Sequence, residues 1–182
     1  MEIEELTIPG VLVFRPQPHR DERGFFTRTF DAEVAARRGL DTTRFVQDSQ
    51  SRSSYGVIRG LHGRRGAGES KLVRCAHGAV LDVIVDVRPD SDAFGTVVTV
   101  RLDDVDFAHV YLPAGLLHGF QVLTETADVC YRIDRPHDPS EDVAVRYDDP
   151  ELAVPWPLPS PALSERDRAA ASFADLRAQL GR

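Results

Sequence analysis

Apolar and polar residues alternate with period two along most of the chain, in short segments separated by Gly, Pro, Asp and similar turn residues. The clearest segment is Leu81-Asp82-Val83-Ile84-Val85-Asp86-Val87. There Leu81, Val83, Val85 and Val87 share one face, and Asp82, Ile84 and Asp86 share the other. A strand with both faces occupied, one apolar and one partly acidic, suits a barrel or sandwich. The same pattern predicts strands over residues 10–15, 57–62, 71–76, 96–102, 109–112, 118–123, 128–133 and 143–147. Short strands at regular spacing with few helices between them predict an all-β fold.

Helical signal is confined to two places. Residues 31–38 combine an Asp cap, good helix formers and Gly39 as a stop. Residues 164–180 begin with Ser and carry Phe173, Leu176 and Leu180 at helical spacing. Between sheet and tail lies Pro155-Trp156-Pro157-Leu158-Pro159-Ser160-Pro161, a rigid extended segment expected to pack on the barrel rather than to divide domains. A single domain over residues 1–182 is the expectation.

Composition narrows the function classes. The chain has 22 Lys plus Arg against 29 Asp plus Glu, a net charge of −7, which argues against a dedicated nucleic-acid binder. A few local arginines still suffice for an anionic small ligand. Cys75 and Cys130 belong to no CxxC pair and are expected to be buried free thiols. The acidic start Met1-Glu2-Ile3-Glu4-Glu5 lacks a secretory h-region, and no apolar run approaches the ~20 residues of a spanning helix. A soluble cytoplasmic protein is expected. None of the six histidines forms an His-x-His pair, so neither a metal site nor a cofactor is predicted.

Several ionisable residues could carry chemistry, each with a plainer reading beside it. In strict period two Ile58, Gly60 and His62 share one face and Val57, Arg59 and Leu61 the other, and Gly60 would leave ligand space beside the imidazole; the plainer reading is an inert strand-end His. Lys71 shares a face with Val73 and Cys75, so turned inward it needs an anionic partner such as a substrate oxygen; otherwise it snorkels to water. His118 follows a Pro113-Ala114-Gly115 turn and could reach a barrel mouth. Tyr131 shares a face with Val129 and could act as an acid toward an enolate, or be structural. Ser164 and Asp167 read as a capping box, or Asp167 orients a histidine.

Together these residues resemble the dTDP-4-dehydrorhamnose 3,5-epimerase family of cupin-type nucleotide-sugar epimerases. The stretches that carry the resemblance run from about Phe14 to Asp167. They include Asp21-Glu22-Arg23-Gly24-Phe25-Phe26, Phe45-Val46-Gln47-Asp48, Arg59-Gly60-Leu61-His62, Lys71-Leu72-Val73-Arg74-Cys75, His118-Gly119-Phe120, Tyr131 and Leu163-Ser164-Glu165-Arg166-Asp167. The resemblance implies a cupin-like double-stranded β-helix, a jelly-roll barrel with a short helix near the N-terminus and a C-terminal helix. It implies His62 as general base paired with Asp167, Lys71 steadying the ketone oxygen, Tyr131 as the acid on the opposite face and His118 lining the sugar site. It further implies Arg23 and Arg59 on the diphosphate, with Phe26, Gln47 and Ser49 as further substrate contacts. The family's homodimer exchanges N-terminal strands and uses no metal. The implied substrate is a dTDP-4-keto-6-deoxyhexose, epimerised at C3, C5 or both.

Some positions depart from the family pattern. Gly63 replaces an aromatic, Arg64 a Gln, Ser49 an Asn and Arg28 a Glu, and Arg135-Pro136-His137 stands where two tyrosines commonly end a stretch. These changes flank the ligand motifs and leave a single-centre epimerase as the near alternative. A non-catalytic nucleotide-sugar module is further away, because it need not keep His62, Lys71, Tyr131 and Asp167 together; a ketoisomerase on a similar barrel would move the carbonyl rather than invert a centre, and product analysis separates the two.

Overall fold

The period-two segments form antiparallel strands in the computed structural model, which describes residues Met1–Arg182. In chain order these are β1 (Glu2–Glu5), β2 (Leu12–Arg15), β3 (His19–Asp21), β4 (Gly24–Phe26), β5 (Gln47–Ser54), β6 (Ile58–Arg64) and β7 (Lys71–His77). There follow β8 (Ala79–Asp86), β9 (Val97–Asp103), β10 (His109–Leu112), β11 (Leu116–Val122), β12 (Thr126–Ile133) and β13 (Asp142–Ala144). A six-stranded sheet in the order β1-β2-β10-β7-β12-β5 faces a five-stranded sheet in the order β13-β6-β11-β8-β9, and β3 and β4 form a separate hairpin. The expected all-β jelly roll is observed. Three short helices, α1 (Ala32–Ala36), α2 (Glu165–Arg168) and α3 (Phe173–Gln179), complete the order. No helix is long and apolar enough to cross a membrane.

The two faces of β8 enter two different cores, as its pattern predicts. Val80 and Ile84 join Val13, Val73, Val110, Phe120 and Val129 between the sheets. Val83, Val85 and Val87 join Leu61, Leu117, Val145, Phe173 and Leu176 on the outer face of the five-stranded sheet, under α3. A smaller cluster of Leu12, Phe14, Ala35, Leu40 and Leu72 seats α1 against the other sheet. The Pro-rich segment packs on the sandwich: Trp156 Nε1 donates to Tyr147 O at 2.8 Å, and the buried Gln121 side chain bonds both Leu158 O (2.9 Å) and Leu158 N (3.1 Å).

Three expectations are corrected, and strand β5 appears where the pattern did not predict one. The single helix over residues 164–180 is two helices. Between them Ala171 bridges Val145 in parallel, and Ser172 takes an extended conformation to cap α3 in a capping box with Asp175; pairing and capping outweigh the helix propensity of the alanines. The strand expected over residues 143–147 is limited to β13, with Val145 in that isolated bridge. Strand β5, Gln47-Asp48-Ser49-Gln50-Ser51-Arg52-Ser53-Ser54, shows no apolar alternation, yet it pairs with β12 over its whole length. Of the two cysteines, both free, only Cys75 is fully buried, and burial pushes its thiol up to about 12.

If Ile84 sits in the inter-sheet core as described, Ile84→Ala is expected to cost about 2–5 kcal/mol of stability in urea denaturation. A loss under about 0.5 kcal/mol would place this face outside the core.

Candidate active site

At one end of the sandwich the apolar interior gives way to a cavity of about 560 Å³ lined by both sheets. The five-stranded sheet contributes Ile58, Arg59, His62 and Arg64 from β6 and His118 and Phe120 from β11. Facing them are Lys71 from β7, Tyr131 and Ile133 from β12, and Ser51 from β5. The C-terminal segment closes one side with Leu163, Ser164, Arg166 and Asp167.

Strict alternation along β6 fails at a bulge. His118 lies opposite His62, while Phe120 lies opposite Arg59, so β6 carries one residue more than β11 over this interval. Arg59 and His62 therefore share the cavity face, which corrects the expectation that Arg59 points away. Gly60 leaves no open space either: at its φ of +135° a Cβ would stand 2.5 Å from Gly119 Cα. The close backbone approach, rather than ligand room, is what this glycine serves.

His62 Nε2 lies 2.6 Å from Asp167 Oδ1. A carboxylate oxygen accepts, so Nε2 carries the proton and Nδ1 keeps its lone pair. Burial holds the imidazole below its ordinary value of 6.5, and the hydrogen bond and charge of Asp167 act against that shift. His62 is thus neutral at neutral pH and able to take a proton. Of the two sequence readings of the Ser164–Asp167 pair, the orienter is realised and the capping box only in its Ser164 half. Ser164 Oγ accepts from the Asp167 backbone N–H at 3.1 Å and caps α2, while the Asp167 carboxylate reaches the histidine.

A second His–carboxylate pair lies beside the first: His118 Nε2 is 2.8 Å from Asp82 Oδ1, both buried. Lys71 Nζ is 3.1 Å from Glu69 Oε1, so the inward lysine finds its anionic partner within the chain. Arg59 stands exposed at the rim with Nε donating to Ser53 Oγ at 2.9 Å. Gln47 and Ser49 lie opposite Ile133 and Tyr131 on β5, on the cavity side but beyond its lining.

Arg23 and Phe26 do not come to this cavity. They belong to the β3–β4 hairpin, where Arg23, with its side chain 84% exposed, bonds Asp21 at 2.6 Å and Phe26 is 71% exposed. Arg28 is likewise exposed and pairs with Asp31 at 3.1 Å. Of the other departures Gly63, Arg64 and His137 line the cavity, with Glu69, Asp142 and Arg166 beside them, while Ser49, Arg135 and Pro136 do not. Sequence reasoning did not single out Asp82 or Glu69. Asp82 was visible as an acidic residue on an inward strand face, and Glu69 as a carboxylate two residues before Lys71. The structure gathers no group of three or more His, Cys, Asp or Glu side chains placed to share a metal ion.

Residues 5–175 match the family model described as dTDP-4-dehydrorhamnose 3,5-epimerase. The chain is 40% identical to the dTDP-4-dehydrorhamnose 3,5-epimerase of Pseudomonas aeruginosa, over 96% of this chain and 97% of that protein. It is 38% identical to the dTDP-4-dehydrorhamnose 3-epimerase of Streptomyces niveus, over 97% of this chain and 86% of that protein. Among solved structures it resembles the dTDP-6-deoxy-D-glucose-3,5-epimerase of Legionella pneumophila in complex with dTDP-4-keto-L-rhamnose. That likeness has a TM-score of 0.91 and 38% identity, and covers 98% of this chain and 96% of the other.

The His62 geometry has a measurable consequence. Its imidazole is expected to titrate below 6.5 in NMR, because burial outweighs the carboxylate. Asp167→Asn removes the groups that favour the imidazolium and is expected to move the midpoint lower still. A higher midpoint in Asp167→Asn would contradict the pairing.

Proposed function

The chain belongs to the dTDP-4-dehydrorhamnose 3,5-epimerase family, and on that footing we propose that its cavity epimerises a dTDP-4-keto-6-deoxyhexose through His62, Lys71, Tyr131 and Asp167. The observation that carries this reading is the placing of His62, held by Asp167 at 2.6 Å, on one sheet and of Tyr131 and Lys71 on the facing one. A sugar ring bound between the sheets presents opposite faces to the two.

Carbons C3 and C5 flank the C4 ketone, so their hydrogens are acidic. His62 Nδ1 takes one of these protons, and the C–H electron pair moves to the ketone oxygen. Lys71, the chain's only lysine, steadies the resulting enolate. Tyr131 returns a proton from its O–H to the other face, which inverts the centre. The imidazolium and tyrosinate left behind are reset by exchange with solvent. Asp167 keeps Nδ1 unprotonated before each turn. His118, held by Asp82, lines the sugar region.

Arg59 takes the diphosphate at the rim. Arg23 and Phe26 act in a homodimer in which the hairpin serves the neighbouring cavity. Their exposure and their distance from their own cavity support this, as do Phe25 and Phe26, both large and exposed. Gln47 and Ser49 contact the ligand at the β5 margin. Free thiols at Cys75 and Cys130 suit the reducing cytoplasm. A second reading, inversion at a single carbon, is favoured by the departures Gly63, Arg64 and His137 on the cavity wall and by likeness to the Streptomyces niveus 3-epimerase.

With dTDP-4-keto-6-deoxyglucose in deuterated water, NMR is expected to show deuterium at C3 and C5 for double epimerisation, or at one carbon for the single-centre reading. No exchange by folded, dTDP-binding protein would remove both. His62→Asn is expected to slow exchange by at least about a hundredfold with dTDP affinity retained. Tyr131→Phe should spare exchange more than inversion. Subunit exchange tests the hairpin: His62→Asn and Arg23→Ala chains, each defective alone, are expected to regain activity when mixed. One cavity of the mixed dimer then has both residues intact. No recovery in a mixed dimer of demonstrated composition would place Arg23 outside the partner's cavity.

A further inference from the structure

Three ionisable side chains of the cavity lining, Arg64 on β6, Lys71 on the facing β7 and Glu69 in the loop that joins the two strands, are shielded from water. Arg64 is 3% exposed, Glu69 8% and Lys71 12%. The two carboxylate oxygens of Glu69 are divided between the cations: Oε2 lies 2.8 Å from Arg64 Nε, and Oε1 lies 3.1 Å from Lys71 Nζ. Arg64 also donates Nη1 to Pro136 O at 2.7 Å. Asp142 stands 4.0 Å from Arg64 but is engaged at 2.9 Å by Arg166.

A carboxylate this close to Lys71 works against stabilisation of an enolate. Lys71 and Glu69 by themselves sum to zero charge, and a neutral ion pair attracts developing negative charge only weakly. In a site that excludes water the difference is amplified, because Coulomb interactions are less screened there. With Arg64 on the other oxygen the three groups carry a net +1. Glu69 in turn keeps two neighbouring buried cations from facing each other uncompensated.

We propose that Arg64 is a positioning residue for the reaction: it neutralises Glu69, so that the charge of Lys71 stays directed at the substrate's ketone oxygen. This rests on the epimerase reading above. Arg64 touches neither sugar nor nucleotide in this role and acts through Glu69 and Lys71. The residue that departs from the family's Gln is thereby tied to the rate of proton removal rather than to ligand affinity.

The test compares wild type, R64K, R64Q and R64Q/E69Q by deuterium exchange into dTDP-4-keto-6-deoxyglucose, with dTDP affinity by calorimetry and melting temperature alongside. R64Q is expected to lower kcat for exchange about tenfold, with KM and dTDP affinity within about twofold. R64K keeps the charge and is expected to stay near wild type. R64Q/E69Q removes the uncompensated carboxylate and is expected to recover most of the lost rate. Both Gln variants lack the Pro136 bond, so equal slowing in the two would assign the loss to that anchor and overturn the proposal. R64Q that exchanges like wild type overturns it too. Should R64Q fail to fold, the double variant decides: wild-type exchange supports the proposal and a tenfold loss ends it. Wild type that binds dTDP but exchanges nothing sinks the epimerase reading itself, and this inference with it.

Discussion

The contact between His62 and Asp167 joins the one-turn helix α2 to strand β6, and the C-terminal segment is arranged to make it. Asp167 lies 105 positions after His62. Its approach is held in steps: Leu158 on the Gln121 side chain, Ala162 bridging Val57, Ser164 capping α2, and Ala171 bridging Val145. Each step satisfies backbone groups that the segment would otherwise bury unpaired. The break between α2 and α3 belongs to the same arrangement, since a continuous helix could not also pair Ala171 with the sheet edge.

Burial of charge explains much of the remaining layout. Inside the sandwich an isolated ion is costly, so inward ionisable groups are either paired or kept neutral, as is His109, which has no partner on either ring nitrogen and which burial lowers to about 3. Asp167 holds His62, Asp82 holds His118, and Glu69 lies between Lys71 and Arg64. Asp86 follows the same rule away from the cavity, with Arg88 at 2.6 Å. The chain is acidic as a whole, at −7, yet on the cavity Arg59, Arg64, Lys71 and Arg166 outnumber the carboxylates of Glu69, Asp142 and Asp167. A nucleoside diphosphate meets that local field rather than the net charge.

Much of this was legible in the sequence. Period two in residues 81–87 identified a strand buried on both faces, and β8 divides its side chains between two cores as that pattern requires. Alternation put Lys71 on a face with Val73 and Cys75 and Tyr131 on a face with Val129 but left open whether either pointed inward; both line the cavity. The cap before α1 was readable at Asp31, whose side chain accepts from Glu33 N and Val34 N. These features are local. A strand's two faces and a helix cap depend on residues within a few positions of each other.

Other features depend on what the chain meets from afar. Strand β5 escaped notice because it carries no apolar residue, with Ser51 on a cavity rather than in a core, and its pairing with β12 supplies the stability its side chains do not advertise. Arg59 was assigned to the wrong face because the bulge opposite Gly119 is a property of two strands, not of one. Arg23 and Phe26 matched a family motif, but only the folded chain places them on a hairpin apart from their own cavity. The sequence by itself determined the strand faces, the turns and the identity of the reactive groups, because these follow from residue type and short-range geometry. The resemblance already paired Asp167 with His62, whereas tertiary structure alone decided that Glu69 is shared by Arg64 and Lys71. Partner choice among buried charges is settled by which groups the packed sheets bring within a hydrogen-bond length, and sequence spacing does not encode that distance.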